Sequence, residues 1–251
     1  MTATTGKPKT AGHLDRLLAA VQKNDGGRKP LGDLAILVYG DKKVGKSTFA
    51  AQFPGAVFLD VEGGLRSIEC DRIPIPNWAT LREATRLIGQ AASEGGYKTP
   101  VVDGLADAWE MCRASVFAAQ GWSHEQDGAY GRGSDAVKKE FRAWYNDLRS
   151  LPMGFILLCH SVEAELNKST KLISKTMPQL PKNCWDLVKP PLDMVWYAKK
   201  VTTADGETSH RLFTKGTEDR EGADCVGVLP AELELSYAAV AAAYEAKRAA
   251  A

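Results

Sequence analysis

The sequence predicts an α/β protein: a mostly parallel central sheet flanked by helices and followed by a C-terminal antiparallel hairpin. Three observations carry this. Short apolar runs, "LAILVYG", "AVFLD", "PVVD" and "FILLCH", are separated by segments of helical spacing, and strands separated by helices imply a parallel sheet. The runs are apolar throughout, as in strands covered on both faces. Near the end, "DMVWYAKKVTT" and "SHRLFTK" flank "ADGE", whose Asp205-Gly206 supplies a hairpin turn.

Taken in order, residues 1–10 are polar, and Ala11 to Gln22 places Leu14, Leu17, Leu18 and Val21 on one helical face that needs a surface to pack on. "KNDGGRKPLGD" reads as a linker. A strand over Leu34 to Tyr39 leads into a helix over Lys46 to Phe53, then a strand over Ala56 to Asp60 and an edge element around Ile73. Trp78 to Ala92 is helical, "KTPVVD" is a strand ending at Asp103, and Leu105 to Gln120 is helical. A glycine-rich segment, Gly121 to Asp135, precedes a helix over Ala136 to Ser150 with Phe141, Trp144, Tyr145 and Leu148 at helical spacing, and Gly154 to His160 is a buried strand. From Ser161 to Pro191 no period is evident, and a connection that long is usually functional. Ala231 to Ala250 reads as a final alanine-rich helix. The expected organisation is a tail, helix and linker over 1–30, a core over 31–230 and a terminal helix over 231–251.

Composition bounds the function. A net charge of +1 argues against a wholesale polyanion-binding surface, so any nucleic-acid contact must be local. No apolar run is long enough to cross a bilayer, and "MTATTGKPKT" lacks the apolar core of a signal peptide, so the expected compartment is cytoplasmic with no membrane partner. Five scattered cysteines without a C-x-x-C pair argue against a disulfide framework and a zinc site.

Between the first strand and helix, Gly40, Gly45, Lys46 and Ser47 fit G-x-x-x-x-G-K-[ST]. This is the pattern of a phosphate-binding loop, spanning Gly40, Asp41, Lys42, Lys43, Val44, Gly45, Lys46, Ser47 and Thr48. Successive backbone N–H groups neutralise a triphosphate, and glycine at 40 and 45 removes a Cβ that would block the approach. Lys46, expected to face solvent, would reach the β- and γ-phosphates of ATP, and Ser47 would ligate Mg²⁺.

Five other positions attract attention. Asp103, at the end of "PVVD", would hold Mg²⁺; a cap on the following helix is the alternative. Glu62, just past the second strand, can orient and deprotonate the attacking water, or be a turn glutamate. His160, ending "FILLCH", can sense the γ-phosphate or be structural. Lys215 or Arg220 can act as a finger on a neighbouring subunit's nucleotide, or belong to a solvated charge cluster.

"LVYGDKKVGKSTFAAQFPGAVFLDVEGGLRSI", "PVVDGLADAWE" and "FILLCH" together resemble the RecA-type ATPase core, most of all the phage-encoded RecA-like ATPases related to single-strand annealing proteins, over Leu34 to about Pro230. The resemblance implies that Asp60-Val61-Glu62 is a D-x-E motif whose glutamate is the catalytic base. It also implies that Asp103 is the magnesium aspartate, that His160 is the γ-phosphate sensor, and that Gly121 to Asp135 and Ser161 to Pro191 are disordered DNA-binding loops. The expected partners are single-stranded DNA and further copies of the chain in a ring or filament. Lys168, Lys171, Lys175, Lys182 and Lys189 would track phosphates, with Tyr130 and Arg132 contributing from the earlier loop. Trp122, Trp144 and Trp185 read as packing residues. Two other functions stay open: a nucleotide-controlled assembly module without significant turnover, and a small-molecule phosphotransferase.

Overall fold

The structure of the chain is a computed structural model, which describes residues 29–94, 96–124, 132–168, 171–202 and 205–248. After a 3₁₀ turn at Leu31–Asp33, the strands are β1 (Ala35–Gly40), β2 (Ala56–Asp60), β3 (Asp71–Pro74), β4 (Thr99–Asp103), β5 (Phe155–Lys168), β6 (Lys171–Pro178), β7 (Met194–Thr202), β8 (Thr208–Phe213), β9 (Ala223–Asp224) and β10 (Glu232–Glu234). The helices are α1 (Lys46–Ala50), α2 (Trp78–Ser93), α3 (Leu105–Gln120), α4 (Arg132–Arg149), α5 (Lys182–Val188) and α6 (Tyr237–Arg248).

The main sheet has the order β10-β8-β7-β1-β5-β4-β2-β3. From β7 to β3 every pair is parallel, while β8 runs antiparallel to β7 and β10 antiparallel to β8. The expected class, a mostly parallel sheet with a C-terminal antiparallel hairpin, is what the chain forms. Both faces of the sheet are covered, as its apolar strands require. Along β1, Leu37 and Tyr39 enter the cluster formed with α2, α3, α4 and α5, whereas Ile36 and Val38 enter the one formed with α1 and α6. Helix α4 buries Val137, Phe141, Trp144, Tyr145 and Leu148 along one stripe, with Phe141 4.9 Å from Trp144 and 5.9 Å from Trp78.

Four expectations change. The segment Ser161 to Pro191 is not a structureless loop. Strand β5 runs on past His160 to Lys168 and pairs antiparallel with β6, forming a two-stranded arm, and α5 follows. The helix expected to reach Phe53 ends at Ala50, four residues before Pro54. The terminal helix starts at Tyr237, because Glu232–Glu234 first pairs with β8. Helix α4 already begins at Arg132, inside the glycine-rich segment. The helix over Ala11 to Gln22 and Tyr130 lie outside the described residues. Trp144 and Trp185 are buried, and Trp122 packs edge-on against Phe117 at 6.0 Å, which suits packing roles. The five cysteines are free thiols, with Cys112, Cys159 and Cys184 buried. Among the described residues no helix is long and apolar enough to cross a membrane.

Candidate nucleotide site at the carboxyl edge of the sheet

Strands β1, β2 and β4 end at one edge beside His160 of β5, with Gly40 opposite His160 and Asp60 opposite Asp103. Parallel strands thus bring residues far apart in sequence to one edge, where open α/β sheets bind ligands. The cleft there has a volume of about 390 Å³, and Gly45, Lys46, Ser47, Glu62, Asp103 and His160 line it.

The loop after β1 is built on two left-handed residues, Lys43 (φ 63°) and Gly45 (φ 100°). Its backbone N–H groups at Lys43, Gly45, Lys46, Ser47 and Thr48 have no acceptor among the described residues, whereas those of Val44 and Phe49 bond Asp41 O (3.4 Å) and Gly45 O (2.9 Å). A cradle of unpaired donors suits a polyanion. The two glycines have different reasons. Gly45 needs its positive φ, but a Cβ on Gly40 would lie 2.2 Å from the Ala198 carbonyl oxygen. The constraint on Gly40 is therefore the neighbouring strand β7, not the approach of a phosphate.

Lys46 is only 7% exposed, so its expected solvent-facing position is corrected. Its ammonium donates to Gly40 O and Asp41 O, both at 2.8 Å, and lies 3.4 Å from His160 Nδ1. Burial lowers its pKa, against the opposing pull of Cys159, Glu62, Asp103 and Asp41. An ammonium has only donors, so Nδ1 of His160 accepts and Nε2–H donates to Glu62 Oε1 at 3.0 Å. One chain of hydrogen bonds thus runs from the loop carbonyls through Lys46 and His160 to Glu62.

The Ser47 hydroxyl donates to Asp103 Oδ2 at 3.1 Å. Burial pushes the Asp103 carboxyl up to about 6, although the Ser47 hydrogen bond pulls the other way. The helix that follows is capped at Gly104 without a side-chain hydrogen bond, so Asp103 does not serve as the cap. Its backbone carbonyl accepts from Val61 N and Glu62 N, both at 3.1 Å, which fixes the turn carrying Glu62. Among the described residues no group of three His, Cys, Asp or Glu side chains could by itself hold a metal. Ser47 and Asp103 suit a magnesium ion that takes its other ligands from phosphate and water.

Three contributors carried no role in the sequence reading. Asp60 is buried; its Oδ1 accepts from Gly63 N at 2.8 Å and its Oδ2 from Arg72 at 2.7 Å, shaping the turn beyond Glu62. The acidic first position of D-x-E was visible as a pattern, but its partners were not. Ser161, the first residue of the arm, donates to Asp41 Oδ1 in the phosphate loop. His210, on β8, donates from Nδ1 to Val44 O at 2.7 Å and braces the loop from the other side.

Other expected residues lie elsewhere. Neither Lys215 nor Arg220 lines the cleft of its own chain; the Arg220 guanidinium stacks 4.4 Å from the Phe213 ring centre. Lys175 and Lys189 both pair with the buried Glu221, at 3.0 and 2.8 Å. Burial raises the Glu221 pKa, but the two lysine hydrogen bonds outweigh it and hold the carboxyl below its ordinary range. Lys182 pairs with Asp186 at 2.5 Å. Lys168 and Lys171 are paired in the backbone register of β5 and β6.

Residues 33–221 match the family described as an AAA domain. The chain is also similar to a solved KaiC-like protein from the hyperthermophilic archaeon Pyrococcus horikoshii OT3, at 14% identity over 72% of this chain and 78% of that chain, with a TM-score of 0.41. No curated protein matches it. With the phosphate loop, the Ser47–Asp103 pair and Glu62 at one sheet edge, and a family match over most of its length, the chain belongs to the AAA domain family as a P-loop ATPase.

Proposed function

We propose that this chain binds and hydrolyses ATP at the carboxyl edge and uses the nucleotide state to set the β5–β6 arm for single-stranded DNA. The setting would be recombination or annealing in a homo-oligomeric assembly, as the RecA-type resemblance implies. One observation carries the reading. His160, the middle link of the chain Lys46–His160–Glu62, stands one residue before Ser161, which ties the root of the arm to Asp41 of the phosphate loop.

In this reading Lys46 exchanges its two carbonyl partners for phosphate oxygens of ATP, which frees His160 Nδ1. His160 then turns from Glu62 toward the γ-phosphate, and Glu62 is released to orient water and take its proton. Ser47 and Asp103 are the residues that would hold magnesium, which neutralises phosphate charge when bound. Re-pairing of His160 shifts the part of β5 from which the arm continues.

A second reading, the nucleotide-controlled assembly module, is favoured by the lysine pairing. Lys175, Lys182 and Lys189 already have carboxylate partners, so phosphate contacts fall to Lys168 and Lys171 at the arm tip and to Arg132. Anisotropy titrations of a labelled oligonucleotide separate the two. The DNA reading predicts tighter binding with a non-hydrolysable ATP analogue than with ADP, and a His160→Ala variant that binds both ligands but has lost the difference. Coupling of this kind must be reciprocal in binding. Equal affinity in every nucleotide state contradicts it, and no measurable DNA binding favours the assembly module.

A further inference from the structure

The amino edge of the same sheet carries a groove that the nucleotide chemistry does not use. It is walled by residues just before β1, β2, β4 and β5 and by the start of α6. Phe53, Pro54, Tyr97, Pro152, Met153 and Tyr237 line a volume of about 480 Å³. Phe53 is buried with its ring 4.7 Å from that of Tyr237, Tyr97 and Met153 are half-buried, and Pro54 and Pro152 are exposed. Charge appears only as Asp33 and Lys98. Through Asp33, Pro152 and Met153 the groove continues into a second cavity of about 360 Å³, which reaches Lys29.

Lys29 is the first described residue, and its place is fixed because Tyr244 Oη donates to its carbonyl at 2.7 Å. Lys29 lines the second cavity and not the apolar groove itself, so the residues that precede it are tethered next to the groove. Six residues, "KNDGGR", separate Lys29 from Gln22, a stretch that spans at most about 25 Å. Before them stands the segment Ala11 to Gln22, with Leu14, Leu17, Leu18 and Val21 at the i, i+3, i+4, i+7 spacing of one apolar stripe. As a helix it would be about 18 Å long, and helices that short are marginal in water unless the apolar face packs on something. We propose that residues 11–22 dock in the groove at the amino edge of their own chain, with Leu14, Leu17, Leu18 and Val21 against Tyr97, Met153 and Tyr237. The tether sets a high local concentration of this segment at the groove, which a separate partner would have to overcome.

The test is site-specific photo-crosslinking on the full chain, with benzoylphenylalanine in place of Tyr97. The expected product is a crosslink to a peptide within residues 11–22, in the monomer band, with a yield independent of protein concentration. Leu17→Asp should reduce it about tenfold, the scale expected when one leucine no longer enters an apolar contact. Crosslinks only to a second copy, rising with concentration, or none to residues 11–22, overturn the proposal. A second measurement leaves the groove intact: Leu14→Asp with Leu18→Asp alters only the segment, and should raise hydroxyl-radical labelling of Met153 severalfold. Unchanged Met153 labelling also overturns it.

Discussion

At the carboxyl edge of the sheet, Gly40, Glu62 and Asp103 stand at or just beyond the ends of three strands, beside His160 within β5, and their neighbourhood is a set of polar groups bonded to one another. At the amino edge, the segments leading into the same strands present Phe53, Pro54, Tyr97, Pro152 and Met153, and the neighbourhood is apolar. The difference follows from what each edge must do. Hydrogen bonds at the carboxyl edge can be exchanged for bonds to a ligand at small net change, since bonds replace bonds. Apolar contacts at the amino edge have no such exchange, so their loss is felt as stability. Substitutions at the first edge should act on turnover, and those at the second on folding.

Lys46→Met gives the largest expected effect. It keeps the volume and removes the three donors that hold Gly40 O, Asp41 O and His160. Turnover should fall by about 10²–10³-fold, as when a positioned electrostatic donor is lost. The thermal midpoint should change little, because orphaned carbonyls are set against relief of a buried charge. The counterpart at the other edge is Met153→Asp, which should lower stability by about 1–2 kcal/mol in a denaturant titration and leave turnover unchanged.

Gly40→Ala is built to break the rule. It stands in the phosphate loop pattern, yet its Cβ would collide with a backbone carbonyl of β7. Loss of about 1–3 kcal/mol of stability, measured without nucleotide, is the expected result. A variant of normal stability with impaired nucleotide binding would restore the phosphate-approach explanation.

Glu221→Gln probes a charge that is structural rather than catalytic. The Glu221 carboxyl titrates below its ordinary value of 4.5 in the folded chain. It therefore contributes stability above the unfolded pKa, and that contribution is lost as pH falls through the lower folded value. The wild type should lose stability over that acid window more steeply than Glu221→Gln, in denaturant titrations at several pH values. Parallel slopes would show that Lys175 and Lys189 contribute nothing through this pair.

Much of this organisation is legible in the sequence, and the exceptions have physical causes. Strand β4 and the part of β5 from Phe155 to Cys159 are fully buried, so their apolar runs announce them. The phosphate loop is a local pattern whose meaning needs no tertiary knowledge. The β5–β6 arm is different: Val162, Ala164 and Leu166 alternate with Glu163 and Glu165, a real period of two, but the arm lies beyond the sheet and its runs are too polar to stand out. The burial of Lys46 depends on carbonyls folding back over it, and the constraint on Gly40 depends on which strand lies beside β1. The pairing of Lys175 and Lys189 with Glu221 joins positions 46 and 32 residues apart. Such facts belong to topology, and composition does not carry them.

Glu62 decides most directly whether the carboxyl edge is a hydrolytic site. ATP affinity and single-turnover hydrolysis should be measured on the same Glu62→Gln preparation. Affinity should remain within about threefold of the wild type, while hydrolysis slows at least ~100-fold, the scale of a lost general base. Hydrolysis at the wild-type rate would contradict this and leave Glu62 as a turn residue whose carboxylate only anchors His160.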